Sequence, residues 1–203
     1  MPQAQSPLCN AQVAIVGGGP VGLGLAIELG QRGVKCLLIE RNLEPQPIPK
    51  GQNLTQRTME HFHFWGAEDQ LRAARIIPRE YGIGGLTAYG SLLGGYSYDW
   101  LQRDLVAPYY YRQNERLPQY ATEAVLRRRV AELETVRTLY GWSVDGLRQG
   151  DDGVSLKAAE RQGEGRRTIR AEFAVGCDGS RSTVREQAGI AQIKSDHDRL
   201  MCL

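Results

Sequence analysis

The chain has 203 residues, 25 Lys and Arg against 23 Asp and Glu, and a formal net charge of +2. That length buries a sizeable core and predicts one domain with part of a second. The balance of charge offers no field that would draw in nucleic acid or an anionic membrane. Cys9, Cys36, Cys177 and Cys202 form no C-x-x-C pair and no neighbouring metal-ligand pattern, so they read as free thiols of a reducing compartment. The first ten residues lack the basic start and apolar core of a signal peptide. The longest apolar stretch carries Glu28 and is too short to span a bilayer. A soluble, cytoplasmic protein is expected, with the arginines at 127–129 and between 161 and 170 lying on a solvated helix face and a hairpin.

Residues 11–16 (AQVAIV) are a short, nearly unbroken apolar run, the pattern of a strand buried on both faces. Gly17-Gly18-Gly19-Pro20-Val21-Gly22 follows at once, placing Gly17, Gly19 and Gly22 in the G-x-G-x-x-G spacing. In that spacing the first glycine permits a tight turn, and the second leaves room for a pyrophosphate against the backbone. The third lets the next helix pack closely on the strand. Pro20 suits an early helical position, where its missing N–H would have no partner anyway. Leu23, Ala26, Ile27, Leu29 and Gly30 then supply an apolar helical face. Residues 35–39 (KCLLI) make a second strand, and Glu40 stands at its carboxyl end. That is the usual distance from the turn for an acid that accepts hydrogen bonds from a ribose diol. A glycine turn alone is a weak signal. With the strand before it, the helix after it and the terminal acid, it predicts a dinucleotide site, the diphosphate facing unpaired N–H groups and the positive end of the helix dipole. Arg41 is open to two readings, a partner for a 2′-phosphate or an ordinary strand-end arginine.

Pro45, Pro47 and Pro49 make residues 41–51 an extended loop. Residues 55–65 (TQRTMEHFHFW) predict a helix with Met59, Phe62, Phe64 and Trp65 available for burial, ended by Gly66, and residues 68–75 a further amphipathic turn or two. His61 and His63 lie two apart, on different faces of that helix, and read as packing or surface residues rather than a metal pair. Tyr81, Ile83, Leu86, Ala88, Tyr96, Tyr98 and Trp100 alternate with glycine or polar residues, as in strands with one covered face. Tyr109-Tyr110-Tyr111 form an aromatic cluster after a turn at Pro108. Residues 122–133 return to helical periodicity, with Val125, Leu126, Val130 and Leu133 on one side. Residues 136–175 read as a three-stranded antiparallel meander with turns at 151–153 and 162–165. Its last strand runs into Asp178-Gly179-Ser180-Arg181-Ser182, before a short helix over 183–188. Loops at the carboxyl ends of parallel strands converge on one crevice, so Asp178 can accept hydrogen bonds from sugar or ribityl hydroxyls there. Gly179 allows close approach, and either Ser180 or Ser182 can cap the helix.

With the first glycine turn, GCDGSRSTVRE (residues 176–186) resembles the group A flavoprotein monooxygenases, the family of para-hydroxybenzoate hydroxylase. Residues 53–60 (NLTQRTME) are similar to that family's arginine-bearing helix start, and Gln119, Glu123 and Leu126 to its Gln-x-x-x-Glu-x-x-Leu segment. The resemblance covers essentially the whole chain. It implies an α/β fold, a Rossmann-like parallel sheet with a three-stranded antiparallel meander of the FAD-binding, glutathione-reductase-2 type, plus part of a substrate-domain sheet. Residues 1–75 and 119–190 would form a discontinuous, incomplete FAD-binding domain, and 76–118 with 191–203 the beginnings of the substrate-binding sheet. The resemblance implies FAD held by Gly17, Gly19, Pro20, Val21, Gly22, Glu40 and Arg41, with Arg57 near the pyrophosphate and Gln119 on the flavin side. Asp178 and Gly179 would serve FAD binding, and Asp178 the use of NAD(P)H as well. Ordinary roles are open to the same positions: a helix cap or ion pair for Arg57, a turn residue for Gln119, a plain Asp-Gly turn for Asp178.

The family's third fingerprint, a Gly-Asp-Ala motif further on, is absent, and residues 199–203 (RLMCL) resemble the opening of a substrate-domain strand. A C-terminal part of a longer polypeptide is therefore expected. The resemblance implies that NADH or NADPH reduces FAD, that O₂ forms a C4a-hydroperoxyflavin, and that one oxygen atom passes to a small phenolic or other aromatic substrate. No Ser-His-Asp, paired-carboxylate or metal constellation is visible, and no catalytic acid or base is assigned. The aromatic residues between 81 and 111 either face substrate or pack a sheet. Two other readings stand beside this one. The first is a different FAD oxidoreductase such as a halogenase or geranylgeranyl-type reductase, although no Trp-x-Trp-x-Ile-Pro segment is present. The second is a non-catalytic FAD-binding module.

Overall fold

The computed structural model describes residues 10–78, 85–91, 93–99 and 103–193. Tyr81, Ile83 and Trp100 of the expected aromatic strands, Cys9, Cys202 and segment 199–203 lie outside the described residues. The elements run β1 (Asn10–Val16), α1 (Pro20–Gly30), β2 (Cys36–Glu40), β3 (Asn53–Leu54), α2 (Gln56–Phe64), α3 (Glu68–Ala73), β4 (Leu86–Ala88), β5 (Ser97–Asp99) and α4 (Arg103–Val106). A 3₁₀ turn (Ala107–Tyr109) follows, then β6 (Glu115–Arg116), α5 (Gln119–Ala131), β7 (Val136–Tyr140), β8 (Trp142–Gly150), β9 (Gly153–Glu160), β10 (Arg166–Gly176) and α6 (Thr183–Gln187). The chain separates into two compact units, residues 1–47 with 126–203, and residues 48–125.

The first unit is built on a six-stranded sheet of order β7-β2-β1-β10-β9-β8. Neighbours among β7, β2, β1 and β10 are parallel, and β9 and β8 continue the sheet antiparallel. Cys36, Leu37, Leu38 and Ile39 are all buried, as are Val13, Ala14, Ile15 and Val16. This explains the unbroken apolar runs, since a strand covered on both faces has no polar side to show. Leu23, Ala26 and Ile27 of α1 are fully buried, and burying a side chain the size of Leu or Ile stabilises by roughly 1.5–3 kcal/mol. Ala14, Val16, Leu37 and Ile39 share a core with Trp142, Val144, Leu156, Ala158, Ile169, Ala171 and Val184.

The expectation of three antiparallel strands over 136–175 needs one correction. Val136–Tyr140 is a further parallel strand, registered residue for residue on Cys36–Glu40. Gly141, at φ +81°, turns the chain there, so the meander consists of β8, β9 and the first half of β10. Nothing in the alternation of VRTLY distinguishes a parallel from an antiparallel partner.

In the second unit, β3 pairs antiparallel with β6, and β4 with β5. Thr55 caps α2 by accepting from the Thr58 N–H at 3.2 Å. Met59, Phe62, Ala67, Leu71 and Leu117 are buried, but Phe64 is 67% exposed. Two residues from Phe62, it projects from another side of the helix. Ion pairs gather on the half-buried Glu68 and the buried Glu115: Glu68 meets Arg72 at 2.9 Å and Arg112 at 2.8 Å, and Glu115 meets Arg72 at 3.2 Å and Arg75 at 3.4 Å. His63 packs edge-on against Phe64 and Tyr111, in keeping with a packing or surface role, and its Nδ1 also lies 3.1 Å from Glu68. Among the described residues no helix is long and apolar enough to cross a membrane.

Candidate functional site

The chain leaves β1 for β2 on one side, and β10 closes the other side of β1. The loops after three parallel strands therefore meet at one edge, a topological switch point of the kind that holds ligands. Gly17 sits at φ +106° with its N–H donating to Ile39 O at 2.8 Å, while Cys177 N–H donates to Val16 O at 2.6 Å. A Cβ on Gly17 would lie 2.3 Å from Cys177 O, and one on Gly22 would lie 1.9 Å from Gly17 O. These two glycines are demanded by the fold itself. Gly19 differs: a Cβ there would meet nothing within 4 Å. It is the N-cap of α1, with no capping side chain, and no acid occupies the first turn. Pro20 follows at the start of the helix and Val21 is 72% exposed. The positive end of the helix is thus left open at the one glycine of this turn with space beside it, which suits a diphosphate.

Glu40 closes the next side. Its Oε2 accepts from Gly18 N–H at 2.7 Å and its Oε1 from Asn42 N–H at 2.8 Å. Each oxygen keeps a lone pair, so the carboxylate is oriented by the backbone and still able to accept ribose hydroxyls. Gly18 was not singled out in the sequence, although the GGG run could have flagged it: a Cβ there would fall 2.7 Å from Glu40 Cβ. On the far side of β1, Asp178 Oδ1 accepts from Ser182 Oγ at 2.5 Å and Oδ2 from Val184 N–H at 3.2 Å. Of the two candidate serines, Ser182 is the cap of α6, accepting from Arg185 N–H at 3.0 Å. Gly179, at φ +85°, has open space around it. Burial, and secondarily the Asp178 charge, push the Cys177 thiol up, which disfavours its thiolate form.

Beside Glu40 lies a cavity of about 480 Å³, lined by residues 41–47 on one side and by Tyr140, Gly141 and residues 160–162 on the other. Arg41 is part of this lining. Burial raises the Tyr140 phenol, with the Arg127 charge opposing and the Glu40 charge adding to the shift. The Arg127 guanidinium lies 4.3 Å from the centre of the Tyr140 ring and donates to Leu43 O at 2.5 Å, while Arg161 donates to Asn42 Oδ1. Arg127 is half-buried rather than solvated, while Arg161 is exposed in the hairpin turn, as expected of its cluster, and adds a tie to Asn42. No spacing rule announces them, since residues 84 and 119 positions apart meet only in the fold.

Gly17, Gly19, Pro20, Val21, Gly22, Glu40, Arg41, Asp178 and Gly179 thus belong to one unit and to its carboxyl-end loops. Arg57 and Gln119 belong to the other unit. Arg57, on the first turn of α2, donates to Glu60 Oε2 at 2.9 Å, and Tyr111 N–H donates to Glu60 Oε1 at 3.2 Å. These bonds hold the Glu60 carboxyl below its ordinary value. Gln119 opens α5: its backbone N–H donates to Gly51 O at 3.0 Å and its Nε2 to Glu123 Oε1 at 2.7 Å.

Fold and crevice together define a doubly wound α/β nucleotide-binding domain with an antiparallel extension. The chain belongs to the FAD binding domain family, whose sequence profile matches residues 10–201. It is 35% identical over 180 residues to rifampicin monooxygenase of Streptomyces venezuelae, covering 88% of this chain and 34% of that protein. Among solved structures it is similar to the flavin-dependent monooxygenase PieE in complex with FAD and substrate, at 29% identity and TM-score 0.78, over 91% of this chain and 33% of that one. It is also similar to a ternary complex of aklavinone-11 hydroxylase with FAD and aklavinone, at 29% identity and TM-score 0.77, over 88% of this chain and 35% of the other. The chain spans about a third of the length of these relatives.

Proposed function

We propose that this chain is the nucleotide-binding part of an FAD-dependent monooxygenase that hydroxylates a phenolic or other aromatic substrate with NAD(P)H and O₂. The carrying observation is the convergence of Glu40 and the Asp178 loop on an uncapped, acid-free helix start whose middle glycine has open space. In this reading Gly17, Gly19, Pro20, Val21 and Gly22 hold the diphosphate. Glu40 and Arg41 hold the adenosine ribose and its surroundings, and Asp178 and Gly179 the opposite end of the diphosphate and the ribityl chain. By the family resemblance, Arg57 serves the pyrophosphate and Gln119 the flavin side of FAD. Bound FAD supplies the redox chemistry, and the protein supplies position and electrostatics. The acids accept hydrogen bonds from neutral hydroxyls, and the helix N-terminus compensates the phosphate charge.

Supporting this reading, the relatives are a monooxygenase and two structures with FAD and a substrate, one of them a hydroxylase. Cys36 and Cys177 are free thiols, in keeping with a reducing cytoplasm. The test is the visible spectrum of the 203-residue chain after gel filtration with FAD, beside Gly19→Val and Asp178→Ala. Retained flavin in the wild type and its loss in both variants is expected. Equal flavin in all three would sink the site assignment. For the longer polypeptide, NADH or NADPH oxidation accelerated by phenols, with one oxygen atom entering the product, is the corresponding activity test.

A further inference from the structure

The loop over 41–47 forms one wall of the cavity beside Glu40, yet little hydrophobic burial holds it. Leu43 is 57% exposed and neighbouring Ile48 is 80% exposed. A segment with so few buried apolar groups opens at small cost unless polar ties restrain it. Among the described residues two arginines supply such ties, from two different elements onto consecutive residues. Arg127, near the end of α5, donates to Leu43 O with its guanidinium set over the Tyr140 ring. Arg161, in the turn between β9 and β10, donates to Asn42 Oδ1, and its own backbone N–H is fixed to Gly141 O at 2.8 Å. Asn42 in turn donates its N–H to Glu40 Oε1. The two cations therefore restrain the cavity wall and, through Asn42, one oxygen of the acid that faces the ribose.

We propose that Arg127 and Arg161 are positioning residues that hold residues 42–43 so that an adenine nucleoside diphosphate enters a preformed seat beside Glu40. The proposal rests on the dinucleotide reading above and assigns a role to two residues outside its glycine turns and acids. At about 480 Å³ the cavity is within the range of small-ligand sites. Pre-ordering its wall spares a ligand the entropy of immobilising a loop. A loop already ordered binds more tightly by the same margin.

The experiment uses the 203-residue chain and ADP as the probe. Isothermal titration calorimetry gives ADP affinity, and hydrogen exchange of the amides of Asn42, Leu43, Glu44 and Gln46 reports on the loop without ligand. Urea unfolding reports on the fold. Arg127→Met keeps the aliphatic bulk and removes the donor; Arg127→Lys keeps charge and donor; Arg161→Ala removes the second tie. The expected result for Arg127→Met with Arg161→Ala is faster exchange at those amides and ADP binding weaker by about tenfold, the scale of one charge-assisted hydrogen bond. Arg127→Lys should recover part of the affinity. If the double variant fails to fold, Arg161→Ala alone, at an exposed side chain, is read by the same two measurements. Unchanged loop exchange or unchanged ADP affinity in a folded variant overturns the proposal. A wild-type chain that takes up FAD but not ADP overturns it and leaves the FAD reading standing, whereas uptake of neither overturns both.

Discussion

Gly19 and Gly22 belong to one motif, yet the structure gives substitution at each a different consequence. A Cβ on Gly22 would lie 1.9 Å from Gly17 O, and backbone cannot step aside as a flexible side chain would. Overpacking of this kind costs about 1–3 kcal/mol, and Gly→Ala in a helix returns about 1 kcal/mol. With the obstacle a carbonyl, the upper part of that range applies, and a net loss near ~2 kcal/mol is expected for Gly22→Ala. At an m-value of about 2 kcal/mol/M, that lowers the urea midpoint by about 1 M. Gly19, at φ −74° and ψ −176°, is ordinary extended backbone with open space around its missing Cβ. Gly19→Val should cost no more than about 1 kcal/mol, the scale of a changed N-cap. In the proposed site its side chain would instead stand in the diphosphate's path, so FAD affinity should fall by about 100-fold, or ~2.7 kcal/mol. Urea unfolding followed by circular dichroism, and FAD titration followed by flavin fluorescence, separate the two. Gly19→Val binding FAD within about twofold of wild type, or Gly22→Ala as stable as wild type, would refute the division of roles.

Ser182→Ala removes both the cap of α6 and the hydroxyl donor to Asp178 Oδ1; a loss of about 1 kcal/mol is expected in urea unfolding, with weaker FAD retention than wild type. Gly141→Val places a Cβ 3.0 Å from Leu43 Cδ2 at φ +81°, and the left-handed conformation alone costs about 1–2 kcal/mol, so a lower melting temperature is the expected readout. Burial pushes the Cys36 thiol up to about 11; because the unfolded thiol ionises first, alkylation at pH 8.5, mapped by mass spectrometry, should be slow in the native chain and fast in urea. Burial raises the Glu68 carboxyl, but Arg72, Arg112 and His63 together leave it below the ordinary 4.5. Its stabilising contribution is present above 4.5 and is lost as pH falls through the lower folded value, so Glu68→Gln should flatten the acid limb of a stability–pH profile relative to wild type.

What the sequence made legible was local. Strand, turn, helix and terminal acid within residues 11–40 can be read because their partners are near in the chain and each has a distinctive demand. Gly17 needs its positive φ, and β2 needs four buried residues in a row. Asp178 was legible for the same reason, since Ser182 and Val184, its partners, lie within six residues. The placement of β7 was not legible, because parallel pairing with β2 joins residues 100 positions apart and leaves no mark on local alternation. Nor could the ties that Arg127 and Arg161 make to residues 42–43 be seen: an arginine that reaches a loop oxygen and one that reaches water are written alike. Phe64 shows the opposite error. It is an aromatic in a helix that the core does not need.

The site also answers an electrostatic question raised by its own composition. A diphosphate is an anion, and two carboxylates flank the place offered to it. Their charge is already engaged: Glu40 accepts two backbone N–H bonds, and Asp178 accepts a hydroxyl and an N–H at the start of α6. What each has left is acceptor capacity for neutral hydroxyls, which is what a ribose or a ribityl chain presents. In the proposed site the phosphate charge would fall to α1, whose first turn carries no acid and whose cap carries no side chain. An acid moved into that turn, as in Val21→Asp, would reverse this division and repel the phosphates at close range. The same exposed position as Val21→Lys would add a cation. FAD affinity should therefore fall in the first and hold or rise in the second, with the difference shrinking as salt is added. Equal affinities at low salt would mean that the helix start does not face the phosphates at all.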